Sequence, residues 1–249
     1  MRGYKFYHGG FNITLIDSPG FDDAEKPNVQ VLGEIAEWLQ DSYKQNTKLS
    51  GIINMHRIND ERMTVSARRN LHILRKLCGE PPLSNIALVT SFWDQVSPEV
   101  GMQREQELKA SPEFWGTMVE KGSRISRFTD RESALSIILS LANNTPLPLC
   151  IQQEMVDQGK LLIDTEAGIA VNEELDGLER RQRDQLKMLE REFEDARKAH
   201  DLDWEEELRM KRQRIYEQLD RLRMERQMLR EERGFQERQS MGEFDTLGK

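Results

Sequence analysis

Two short stretches of this 249-residue chain place carboxylates where chemistry gathers, at the ends of apolar strands. Thr14 to Asp23, TLIDSPGFDD, reads as the end of a buried strand running into an acidic, glycine-turned loop of the kind that faces a phosphate. In it Asp17 can hold a hydrated magnesium ion, and the Gly20 amide, unhindered by a side chain, can point at a phosphate oxygen. Pro19 stiffens the approach. The plainer reading is a turn that needs Pro-Gly after any buried strand. Further along, IALVTSFWDQV ends in Ser91-Phe92-Trp93-Asp94. A carboxylate in that frame accepts two hydrogen bonds from N1 and the exocyclic amine of guanine, which adenine cannot supply. Phe92 stands where a lysine stem would lie across the base, and an aromatic ring can stack there instead, while Trp93 faces the same region or the core. The plainer reading is a helix cap before SPEV. His8, His56, His72 and His200 are scattered without the spacing of zinc ligands.

Over roughly the first 145 residues, apolar runs alternate with helical patterns, and those elements must position the carboxylates. FNITLID, LSGIINMHRI, NIALVTSF and SRISRF are four expected strands. Between them, Val29 to Tyr43 sets Val31, Ile35, Trp38 and Leu39 on one helical face, and Val65 to Leu77 does the same with Ala67, Leu71, Leu74 and Leu77. Strands separated by such helices predict an α/β domain with a mostly parallel sheet, whose ligands collect at the carboxyl ends of the strands. The informative loops should follow Asp17, Ile58, Phe92 and Phe128. Pro146 and Pro148 then close the domain, and no proline follows them.

Composition narrows the partners. A hydrophobic fraction of 37% is low for a chain that is globular throughout, which predicts a domain plus an appendage. The formal charge of -8, with no concentrated basic face, argues against nucleic acid and anionic lipid. Cys78 and Cys150, far apart and without a secretory leader, fit a reduced cytoplasmic protein with inert thiols. No apolar run reaches transmembrane length, and the terminal DTLGK carries no prenylation cysteine.

Taken together, ITLIDSPGFDD, LVTSFWD, and GSRISRFTD followed by ESALSII resemble the GTPase domains of the septin-like group, which includes the immunity-associated GTPases. The resemblance is especially to fungal proteins that join such a domain to a long coiled coil. The resemblance covers about Thr14 to Leu141, and DTEAGIAVNEEL resembles the junction segment of the fungal group. Gly122, Arg124 and Phe128 fall in register with the third base-contacting segment, which places that loop at Phe128 to Asp130. The resemblance implies a three-layer P-loop fold, with GTP bound and slowly hydrolysed alongside self-association. Asp17 would organise Mg2+ through water, Gly20 would sense the γ-phosphate, and Ser91, Asp94 and Phe128 would surround the guanine.

Two departures bear on that reading. Phe21 stands where Ras-like enzymes place the glutamine that orients water, although this group does without it. The G-x-x-x-x-G-K-[ST] signature, which wraps phosphates in backbone amides, occurs nowhere in the chain. The resemblance thus implies that the first strand, P-loop and first helix lie outside this chain, which leaves nucleotide binding impaired. That first strand would sit between the strand ending at Asp17 and the one beginning near Gly51. A fragment of a complete GTPase and a degenerate, non-enzymatic coiled-coil scaffold both fit.

Residues 149–172 read as a short helical junction, 173–238 as a long charged helix and 239–249 as a disordered tail. The helix carries Leu186, Leu189, Phe193, Ala196, His200, Trp204, Leu208, Lys211, Ile215, Leu219, Leu222, Arg226 and Leu229 at steps of three or four. That stripe, on one long helix or two with a break, fits a coiled coil with itself or another chain, packing back onto the α/β domain as a lid or stalk, or a solitary helix supported by charge pairs. Trp204 reads as a seam aromatic, and Met188, Met210, Met224 and Met228 as gap fillers.

Overall fold

The computed structural model describes residues 1–21, 26–200 and 202–245, with side chains described as far as residue 230. It is a mixed α/β protein with a long helical C-terminal region. The chain opens with β1 (Arg2–His8) and β2 (Phe11–Asp17), an antiparallel pair in register from Arg2↔Asp17 to His8↔Phe11. The expected strand FNITLID is therefore present, but it belongs to this hairpin and not to the parallel sheet. The reason is the two-residue connection Gly9-Gly10, both at positive φ (57° and 87°), which turns the chain straight back on itself. No hairpin residue is fully buried, and Tyr4, Tyr7 and Leu15 are exposed.

The other three expected strands form one parallel sheet in the order β3-β4-β5. They are β3 (Ile52–Arg57), β4 (Ile86–Ser91) and β5 (Arg124–Arg127). Central β4 is buried along its whole length, as a strand covered on both faces must be. Ile86 and Leu88 face the main core, whereas Ala87 and Val89 face α5 (Arg131–Ala142) through Ile137 and Leu141. The main core is built with α1 (Asn28–Lys44) and α2 (Val65–Cys78), joined by Trp115 and Met118 from the segment linking β4 to β5. That segment holds α3 (Pro98–Ala110) and α4 (Gly116–Glu120).

The stretch read as a junction is core. Leu149, Ile151, Met155, Leu162, Ala167 and Val171 are all buried in the same cluster as α1 and α2. Gln152, 1% exposed, donates from Nε2 to the Leu39 carbonyl at 3.0 Å and accepts from the Leu149 amide at 2.9 Å, so burial leaves its amide satisfied. Here lie α6 (Cys150–Gln152) and the start of α7 (Glu166–Ala199), capped by Thr165, whose Oγ1 accepts from the Gly168 amide.

The long helix is two helices. His200, at φ 56° and ψ 33°, ends α7 in the left-handed conformation, and α8 (Leu202–Asp245) runs back antiparallel to it. The stripe then closes on itself: Leu189 and Ala196 of α7 bury against Leu208, Ile215 and Leu219 of α8, with Leu186 and Phe193 alongside. Arg226 bridges to Asp176 at 2.5 Å and to Glu179 at 2.8 Å. Beyond them, Leu222 and the fully buried Leu229 join the α/β core. An independent appendage is thus replaced by a helical hairpin rooted at both ends. The helix also passes residue 238 and runs to Asp245, where a disordered tail was expected; residues 246–249 of that tail lie outside the described residues.

Candidate functional site

The carboxyl ends of β4 and β5 open into a cavity of ≈ 490 Å³ lined by Ser91, Phe92, Trp93, Asp94, Gln95, Phe128 and Thr129. Three of the residues expected to surround a base, Ser91, Asp94 and Phe128, therefore share one cavity. Each is placed by local structure. Ser91 ends β4 and donates its hydroxyl to the His56 carbonyl of β3 at 3.3 Å. Asp94 lies exposed in a single 3-10 turn, Trp93–Gln95. It is not a helix cap: α3 is capped by Ser97, whose Oγ accepts from the Val100 amide. Phe128 follows β5, its amide donating to the Thr90 carbonyl at 2.8 Å, so the parallel pairing extends to the cavity wall. Asp130 caps α5, and hydrogen bonds from Ser133, backbone first, hold its carboxyl below the usual range.

Phe92 and Phe128 are 40% and 39% exposed, unusual for two phenylalanines on one cavity. Phe92 also adopts the left-handed conformation at φ 61° and ψ 38°. A bulky residue there costs about 1–2 kcal/mol, a strain seen where neighbouring structure enforces it. Its outward ring is met by the Arg57 guanidinium from the end of β3, 5.4 Å from the ring centroid. Two exposed rings and a carboxylate lining one cavity suit a flat heterocycle bearing hydrogen-bond donors.

The acidic loop stands apart. Asp17 ends β2 opposite Arg2, and neither Asp17 nor Gly20 lines the cavity. A Cβ added at Gly20 would meet nothing, so no close backbone approach calls for glycine there. Phe21 packs on the main core, and its carbonyl accepts from Asn70 of α2 at 3.2 Å. Asp22 and Asp23 lie outside the described residues. Among the described residues, no cluster of three or more His, Cys, Asp or Glu side chains is placed to hold a metal.

Sequence reasoning missed Arg57 and Gln95 of this site, whereas Thr129 falls within the expected loop Phe128 to Asp130. The signal for the two was positional: both sit at the carboxyl ends of parallel strands or in the loops just after them.

A second cavity of ≈ 230 Å³ lies between α2, Lys121 and α7, near Cys150. Its charges are largely answered internally, by Lys76–Glu166 at 2.6 Å and Lys121–Glu80. Burial pushes the neighbouring Cys78 thiol up to about 12, and burial followed by the Glu154 charge raises Cys150. Neither is a thiolate at neutral pH. Iodoacetamide at pH 8 is therefore expected to leave Cys78 of the folded protein unmodified over a time in which urea-unfolded protein is fully alkylated, as read by mass spectrometry, with the partly exposed Cys150 the faster of the two. Rapid labelling of Cys78 in the folded chain would contradict its burial.

Among the described residues no helix is long and apolar enough to cross a membrane. No protein-family model and no curated protein matches this chain.

Proposed function

We propose that this chain carries the guanine-reading part of a GTP-binding domain of the septin-like, immunity-associated type. The observation that carries the reading is the meeting of Asp94, Phe92 and Phe128 in one cavity at the carboxyl ends of β4 and β5. Asp94 accepts from guanine N1 and its amine, and Phe92 and Phe128 supply apolar faces to the ring. Further support comes from the separation of β2 and β3 into different sheets, because a P-loop fold places its first strand between them. In the complete fold the partner ligands are GTP and Mg2+, with slow hydrolysis coupled to self-association in the cytoplasm.

The phosphate side is weaker. Asp17 and Gly20 do not join the base cavity. That favours a second reading, a non-enzymatic scaffold in which the helical hairpin engages a protein partner and the cavity retains base recognition at most.

Titration of a fluorescent guanosine nucleotide and its adenosine counterpart, with Mg2+, against the full chain separates the two. The first reading expects saturable binding that prefers guanosine. Replacing Asp94→Asn is expected to weaken guanosine binding by about 1.5–3 kcal/mol, roughly tenfold or more, and to favour xanthosine, whose C2 carbonyl accepts from the new amide. Unchanged selectivity removes Asp94 from base reading. No binding by a folded chain leaves the scaffold.

A further inference from the structure

The left-handed Phe92 raises the question of what holds it, and the answer lies one residue on. Trp93 is fixed by three contacts. Its Nε1 donates to Thr90 Oγ1 at 3.0 Å. Its six-membered ring lies so close to α3 that a Cβ on Gly101 would come within 2.6 Å of Cζ3. The Arg127 guanidinium covers the ring at 4.1 Å from its centroid.

Arg127 is itself held. Its Nε and Nη2 donate to the two Glu105 carboxylate oxygens at 3.1 and 2.8 Å, the planar fork that arginine alone provides. Glu105 is 5% exposed and also accepts from Lys109 at 3.2 Å. Burial pushes its carboxyl up, but the hydrogen bonds from Arg127 and Lys109 outweigh this and leave it below the usual range. A charge so deeply placed, and so fully answered, sets geometry more than it adds stability.

Arg127 is also the last residue of β5, and the next residue is Phe128. One side chain thus touches the residue after one cavity ring, and its backbone leads directly into the other. We propose that Arg127, clamped by Glu105, is a positioning residue that fixes the separation of Phe92 and Phe128 and so pre-forms a slot for a flat heterocyclic base. The inference rests on the base-binding reading of the cavity. Preformed slots bind better because the rings need no ordering when the ligand arrives.

The test uses the full chain labelled with 5-fluorotryptophan, the Trp93 fluorine resonance being assigned through Trp93→Phe. In the same samples, the affinity of a fluorescent guanosine diphosphate is measured. The variants are Arg127→Met, Arg127→Lys and Glu105→Gln. Arg124→Met is the control, since the Arg124 side chain bonds the Ser140 carbonyl of α5 and Asn144 just beyond it, neither of which lines the cavity. Circular dichroism checks that each variant folds, and Glu105→Gln serves if the Arg127 variants do not.

The expected result is a displaced Trp93 resonance and affinity weakened on the order of tenfold in Arg127→Met and Glu105→Gln. Lysine should not rescue, and Arg124→Met should match the wild type. Wild-type affinity in the clamp variants overturns the proposal, whether or not the Trp93 resonance moves. If the wild-type chain binds no guanosine nucleotide, the base-site reading fails. The clamp is then judged by fluorine alone: a displaced resonance supports Arg127 as the fixture of Trp93, and an unmoved one overturns it.

Discussion

Leu208→Asp is expected to open the helical hairpin without changing the mass of the protein in solution. Leu208 is fully buried in the seam, beside Ile215, Leu189 and Ala196. A carboxylate placed there is taken out of water among apolar side chains, at a cost of about 3–5 kcal/mol. The hairpin responds by separating its arms from the tip inward, so amides near 200–215 should lose their protection from hydrogen exchange first. The Arg226 bridges to Asp176 and Glu179, nearer the root, should hold longer. Sedimentation of wild type and variant should give the same mass. A fall from oligomer to monomer would mean instead that the seam is shared between chains.

Gly168→Ala is expected to destabilise the protein by about 3 kcal/mol, while Gly177→Ala, nine residues along the same helix, should stabilise it by about 0.5–1 kcal/mol. The two glycines differ only in surroundings. At Gly168 a Cβ would fall on the Leu162 carbonyl oxygen, with the Ile163 Cα also at 3.0 Å, and those are backbone atoms that cannot swing away. At Gly177 the nearest group is the Arg181 guanidinium at 3.7 Å, which can. Midpoints of urea unfolding decide it. Equal effects at both positions would mean that the first turn of α7 can lift from the Leu162–Asp164 turn without loss.

The central strand was legible because a strand buried on both faces announces itself as an apolar run, and IALV at the head of β4 is one. The hairpin was legible too, in the Gly-Gly flanked by two strand patterns, but a search centred on Asp17 passed over the residues before it. Leu186 to Ala196 and Leu208 to Leu219 form a buried seam, as their spacing predicts, but His200 is the turn between the arms, Leu222 and Leu229 belong to the α/β core, and periodicity says nothing about whose surface fills a seam. The break gave no glycine or proline signal. His200 takes the left-handed turn, as histidine does more readily than most residues with a side chain. In the site, Asp94 followed from its frame after an apolar strand, and Ser91 and Phe128 from the resemblance to a GTPase domain. The Glu105–Arg127–Trp93 arrangement did not, because it joins α3, β5 and the loop after β4 only in three dimensions.

The return of α8 also sets an order in time. Leu229 is sealed into the cluster that holds Leu32 and Ala36 of α1, so this core is completed by residues almost two hundred positions apart. Such contacts carry a large loop-closure entropy and slow folding. On the ribosome, the sheet and α1 emerge long before the strip of helix that covers them. Until that strip arrives the nascent domain keeps an uncovered apolar face, and its need of chaperones is expected to be greatest while α8 is being synthesised.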